Sequence, residues 1–273
     1  MIEFRGASRH SLATLRDQLR DLSATAGQLE TAGAELFAVA GTLDAQAPLR
    51  RALTDPARRP DDRAELIATL LRSRISEVAL SLVLAAVRLS WSRVRDLADA
   101  LEHLGVLALV RAAEVEGRLD DLEDDLFRFA RLVESDDQLL RTLTDPKFPG
   151  QRRAELVRTL LEGRAVRPAV RLVEQAVVAP RGLSLVEALD GFSRTAAAWR
   201  QRLVATVRTA VPLSEADRQR LVRVLSRRYG HNVDVNVLVD PGVIGGLRVE
   251  LGDEVIDGTV AGRLEDARRR LVG

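Results

Sequence analysis

The sequence predicts an α+β protein, mainly helical, in which two duplicated helical-bundle units precede a small β-α-β-β-α C-terminal domain. Three observations predict it. The chain repeats itself at a spacing of 90 residues, both repeats carry apolar stripes at three- and four-residue steps, and the pattern switches to two-residue alternation after Trp199. The units are expected over residues 1–105, 106–200 and 201–273.

The repeat is read directly. LTDPARRPDDRAELIATLL (Leu53 to Leu71) lies over LTDPKFPGQRRAELVRTLL (Leu143 to Leu161), identical at 11 of 19 positions without a gap. Upstream, LETAGAELFAVA from Leu29 falls on LDDLEDDLFRFA from Leu119. A solenoid repeat spans roughly 20–50 residues, so this longer period marks a duplicated domain. In the second copy Leu119, Leu122, Leu126, Phe129 and Val133 form one apolar helical stripe. Asp120, Asp121, Asp124 and Asp125 take the other faces of its first turns, where the helix dipole favours acids. Their spacing fits no calcium loop and reads as a solvated face.

Asp-Pro pairs at 55–56 and 145–146 break the chain between helices, because proline lacks the N–H a preceding turn requires. Further helices are expected at about Arg63–Ser73, Glu77–Leu89 and Val94–Glu114, the last bridging the two copies. Leu185, Leu189, Phe192, Ala196, Trp199 and Leu203 make a heptad-like seam, short enough to pack within its own bundle.

In the tail, Leu203, Ala205, Val207, Thr209 and Val211 alternate as a half-buried strand. Ser214, with Asp217 three residues on, caps a helix carrying Leu221, Val224 and Leu225. Val233 to Val239, Leu247 to Leu251 and Val255 onward supply further strands, with Gly252-Asp253 as a tight hairpin turn. A short basic helix, Arg263 to Leu271, is expected to close the chain.

Composition narrows function. Forty-one basic residues, only one of them lysine (Lys147), face forty acidic ones, so no strong field recruits nucleic acid or anionic membrane. Without cysteine there are no disulfides, thiolate metal sites or cysteine nucleophiles. The longest nearly apolar run, Val78 to Val87, falls short of the ~20 residues of a membrane span, and MIEFRGASRH places Glu3 and Arg5 where a secretory signal is apolar. The chain is therefore expected to be soluble and to stay where it is made. His10, His103 and His231 are scattered with no second ligand type beside them, which argues against zinc. No metal or cofactor is expected.

The glycine-bearing stretch VIGGLRVELGDEVIDGT (Val243 to Thr259) raises the enzyme question most sharply. A Walker loop needs a lysine, and Lys147 is far away; a dinucleotide fingerprint lies between a strand and a helix, whereas Gly245 and Gly246 precede a strand. Conformation explains the glycines better. Asp240-Pro241-Gly242 is turn chemistry, Gly245-Gly246 permits a bulge or close approach, and Asp257-Gly258 lets the last strand exit.

The run DPGVIGGLRVELGDEVIDGTVAGRLEDARRRL closely resembles the C-terminal signature of the delta subunits of F-type ATP synthases, whose mitochondrial counterpart is the oligomycin-sensitivity-conferring protein. The matching positions are Asp240, Ile244-Gly245-Gly246, Leu247 to Leu251, Gly252-Asp253, Ile256-Asp257-Gly258-Thr259 and Gly262-Arg263-Leu264, with TAVPLSEADRQRLVRVL upstream. Family members ordinarily have one six-helix bundle, so two copies resemble the longer actinobacterial form.

The resemblance implies a non-catalytic stator role at the cytoplasmic face of the cell membrane, peripheral and within the complex. The bundle would grip N-terminal segments of alpha subunits and the tail would hold the end of the b-subunit stalk. The family's groove lies between the first and fifth bundle helices, here about Ser8–Leu22 and Glu77–Leu89, with Leu12, Leu15, Leu19, Leu82 and Ala86 as candidate lining. Two rival readings remain: a stand-alone helical adaptor for unrelated partners, and a nucleic-acid binder using Arg218, Arg220, Arg223, Arg227, Arg228 and Arg268 to Arg270.

Overall fold

The Asp-Pro pairs do in three dimensions what their sequence suggests. Asp55 Oδ1 accepts from Ala57 N and Asp145 Oδ1 from Lys147 N, both at 2.9 Å, and each turn separates two helices. The computed structural model describes residues 4–200, 203–229, 233–240, 242–243, 245–251 and 254–258. It divides into two compact units, Met1–Arg200 and Gln201–Gly273.

The first unit holds α1 (Ala7–Asp21), α2 (Ala26–Ala45), α3 (Ala47–Thr54), α4 (Pro60–Leu71), α5 (Glu77–Arg88), α6 (Asp96–Val115), α7 (Leu119–Ser135), α8 (Asp137–Thr144), α9 (Gly150–Leu161), α10 (Arg167–Val178) and α11 (Leu185–Arg200). Helix α4 starts three residues before the expected Arg63 because Pro60, with its φ preset, occupies the first turn. Helix α6 starts at Asp96, not Val94; the Asp96 carboxylate accepts from Arg93 N at 3.2 Å and Ser8 Oγ at 2.6 Å, fixing that end.

Equivalent ties recur 90 positions apart. Glu35 accepts from Ser76 N at 3.0 Å, at the head of α5; Asp125 accepts from Val166 N at 2.8 Å, at the head of α10. Each carboxylate reaches from an earlier helix to the N-terminal turn of a later one, where orphan donors need an acceptor. Asp121 pairs with Arg118 and Asp124 with Arg128.

Shifted by 90, α1 falls within α6 and α6 falls on α11. Helix α6 therefore serves both copies, and position 105/106, where the units were expected to meet, lies inside it. A single apolar core runs from Leu15 through Leu104 and Leu109 to Leu172, Leu189 and Trp199. Close approach is achieved with glycine: a Cβ at Gly105 would lie 2.6 Å from the Phe37 ring, and one at Gly33 3.0 Å from Leu109. Of the heptad-like seam, Leu185, Leu189, Ala196 and Trp199 are buried in this core, while Leu203 belongs to the first strand. No helix among the described residues is long and apolar enough to cross a membrane.

In the second unit β1 (Leu203–Thr209), α12 (Glu215–Tyr229), β2 (Val233–Val239), β3 (Leu247–Leu251) and β4 (Glu254–Asp257) build a sheet of order β2-β1-β3-β4. Strands β1 and β2 are parallel, Val207 opposite Val237; β3 runs antiparallel to β1, Val207 opposite Val249. The described order is β-α-β-β-β, one strand more than the β-α-β-β-α shorthand. The expected closing helix, Arg263 to Leu271, lies outside the described residues, as do Ile244, Gly252 and Asp253. Ser214 caps α12, accepting from Asp217 N at 3.1 Å and donating to Asp217 Oδ2 at 2.6 Å. Val207, Leu225, Val233, Val235 and Val249 form the core of this unit.

Candidate partner-binding site

Helix α1 is held by small hydroxyls. Ser8 Oγ donates to Asp96 and accepts from Ser92 N at 2.8 Å, and Ser11 Oγ donates to the Ser90 carbonyl at 2.7 Å. These bonds pin α1 against the segment that follows α5, which makes α1 and α5 antiparallel neighbours. Leu15, Leu19, Leu82 and Ala86 are fully buried between them and the rest of the core. Leu12 is partly exposed and lines a cavity of about 560 Å³ with Phe4, His103, Val106, Leu183 and Phe192. Four of the five expected groove residues are thus core residues with no exposed surface, and only Leu12 reaches solvent. On α1, Ala7, His10 and Thr14 are exposed; on α5, Val78, Ser81 and Ala85 are partly exposed.

The corresponding helices of the second copy, α6 and α10, are not open in this way. Leu97, Ala100 and Leu104, equivalent to Ala7, His10 and Thr14, are completely buried. Helix α2 packs along α6 at Gly33 and Phe37 and reaches α10 through Glu30, which pairs with Arg167 at 3.0 Å. Periodicity alone could not signal this, because α6 is buried almost all round, its polar Asp96 and Asp99 included, in a helix that two bundles share.

Sequence reasoning missed Arg181 and Arg111, and it read Trp199 only as a seam residue. Arg181 bonds Asp44, Asp99 and Glu102. Trp199 lies 4.3 Å beneath the Arg20 guanidinium and donates its indole N–H to Glu114 at 2.9 Å. Arg111 donates to the carbonyls of Leu19 and Leu22, closing the end of α1. The Pro180-Arg181-Gly182 turn was the available signal for Arg181; its partners lie too far away in sequence to be read. Burial lowers the pKa of His103 to about 4, with Arg16 adding to the effect, so the imidazole is neutral at pH 7. Burial raises Asp99 and Glu102 despite Arg181.

In the second unit the glycine stretch is conformational where it is described. Asp240 Oδ1 accepts from Gly242 N at 2.9 Å; Gly245 and Gly246 hold φ of 66° and 82°; Gly258 N donates to the Leu247 carbonyl at 3.0 Å. A Cβ at Gly258 would sit 3.0 Å from that same oxygen. Asp257 is in β4, opposite Arg248. Arg263 lies outside the described residues.

Comparison with known proteins shows the family. The family model described as ATP synthase delta (OSCP) subunit matches residues 106–271. A protein of Streptomyces avermitilis named ATP synthase subunit delta is 48% identical over 267 residues, covering 97% of this chain and 98% of its own. Proteins of the same name from Streptomyces coelicolor and Acidothermus cellulolyticus are each 47% identical over 270 residues, covering 97% of this chain and 97% and 98% of theirs. The relatives are matched along both helical copies, so the duplicated form is shared with them. The chain belongs to the ATP synthase delta (OSCP) subunit family.

Proposed function

We propose that this chain is a non-catalytic peripheral-stalk subunit that ties the catalytic head of an F-type ATP synthase to its b-subunit stalk. On this reading the helical unit takes N-terminal segments of alpha subunits and the tail unit takes the C-terminal end of the stalk, so that the head resists rotor torque. The complex would hold it at the cytoplasmic face of the cell membrane. The observation that carries the reading is full-length relatedness to ATP synthase delta subunits.

The α1–α5 surface of the first copy is the proposed seat of an alpha segment, because the second copy's equivalent is occupied by α2. An amphipathic helix laid over Ala7, Thr14, Ser81 and Ala85 would be helix-in-groove recognition, with small side chains allowing close approach. Two grips on one chain raise the overall hold through effective concentration.

The test is capture of purified alpha and b subunits by the full chain. Ala85→Arg should weaken capture of alpha on the order of tenfold while leaving b capture intact. Failure to retain either subunit would refute the reading.

A further inference from the structure

Arg181 sits in a conformation that costs it stability. Its φ is 50°, followed by Gly182 at 80°, and Leu183 N closes the turn on the Pro180 carbonyl at 2.9 Å. Two successive left-handed residues make this a type I′-like turn, which L side chains avoid at a cost of about 1–2 kcal/mol. The equivalent position in the first copy is Trp91, which has no positive φ, so this turn is not a product of the repeat.

The side chain explains why the backbone is held there. Each guanidinium nitrogen meets a different carboxylate: Nη2 to Asp44 at 2.6 Å, Nη1 to Asp99 at 2.6 Å, and Nε to Glu102 at 2.5 Å. Asp44 ends α2 in the first copy, Asp99 and Glu102 stand one turn apart on shared α6, and Arg181 belongs to the α10–α11 connection of the second. Two further arginines and a glutamine support the three carboxylates. Arg50 of α3 lies 3.7 Å from Asp44, Arg95 before α6 is 3.6 Å from Asp99, and Gln175 of α10 donates to Glu102 at 3.0 Å.

The Arg181 side chain is only 12% exposed. Buried ion clusters of this kind contribute little net stability, because desolvation offsets attraction, and their best-attested use is to specify one arrangement over others. Burial holds Asp99 and Glu102 above the ordinary carboxyl range, the expected sign of such a cost.

We propose that Arg181 is a latch fixing the angle between the two helical copies, and that its release lets the α10–α11 end of the second copy swing away from α2 about α6. The proposal does not depend on which partners the chain binds.

The chain has no cysteine, so spin labels can be placed at Ser73→Cys and Glu162→Cys, exposed sites at the ends of α4 and α9. Pulsed dipolar spectroscopy on the full chain should give one narrow distance distribution. Arg181→Gly removes the fork and relieves the left-handed backbone; it should broaden the distribution and raise amide exchange around Leu183 on the order of tenfold. Arg181→Lys keeps the charge without the fork and should fall between the two. An Arg181→Gly distribution as narrow as wild type overturns the proposal, and so does an Arg181→Lys distribution indistinguishable from wild type. If circular dichroism shows Arg181→Gly to be unfolded, the lysine variant decides.

Discussion

At the scale of single residues, burial decides what a substitution will do. Leu15 has no exposed surface, so Leu15→Asp places a charge in the core and should destabilise the helical unit by about 3–5 kcal/mol. Thermal unfolding followed by circular dichroism checks this; a melting temperature within a degree or so of wild type would be incompatible with it. Gly246 holds φ 82°, where a β-branched side chain is strained, so Gly246→Val should cost about 1–3 kcal/mol in the tail unit. Chemical denaturation, read at amides of β3, measures it.

His103 gives a pH dependence with a definite sign. Its folded pKa of about 4 lies below the ordinary 6.5, so the folded protein binds fewer protons than the unfolded chain between those values. The stability involved is complete above pH 6.5 and is lost as pH falls toward 4, amounting to at most about 3 kcal/mol. The neighbouring carboxyls Asp99 and Glu102 are raised and act in the opposite sense, so the comparison should be between variants. His103→Gln should melt with a shallower loss of stability between pH 6.5 and 4 than wild type; parallel curves would contradict the assignment.

At the scale of elements, the strands and some of the helices were legible in the sequence. Strand β2 spans the alternating valines Val233 to Val239, and α12 begins after the Ser214 cap, because period-two alternation and capping chemistry are local signals. Helix α6 was legible as a helix but not as a shared one. Its periodicity identifies a core face only when one other face meets water, and here two bundles claim the whole circumference. The groove residues suffered the same ambiguity: an apolar stripe marks the inward side of α1 equally well whether the surface beyond it binds a partner or not. The α2–α6 crossing depends on Gly105, and Gly105→Ala should destabilise the helical unit by about 1–3 kcal/mol, since its methyl would press on Phe37 and the Gly33 carbonyl. Calorimetry of the full chain measures that cost.

At the scale of the whole molecule, the duplication makes two bundles into one body by sharing α6, and leaves only the first copy's leading helix with an outward face. The tail forms a separate unit whose glycines shape turns rather than cradle a substrate. A chain built this way suits holding other polypeptides. Its family membership and the open α1–α5 surface support a place between the head and stalk of a rotary machine.

The most direct test is native mass spectrometry of the ATP synthase purified from cells that carry an affinity tag on this chain. The account predicts an intact complex containing a single copy of the tagged chain, which dissociates together with b subunits when the head is stripped away. A tagged chain recovered free of alpha and b subunits would contradict it.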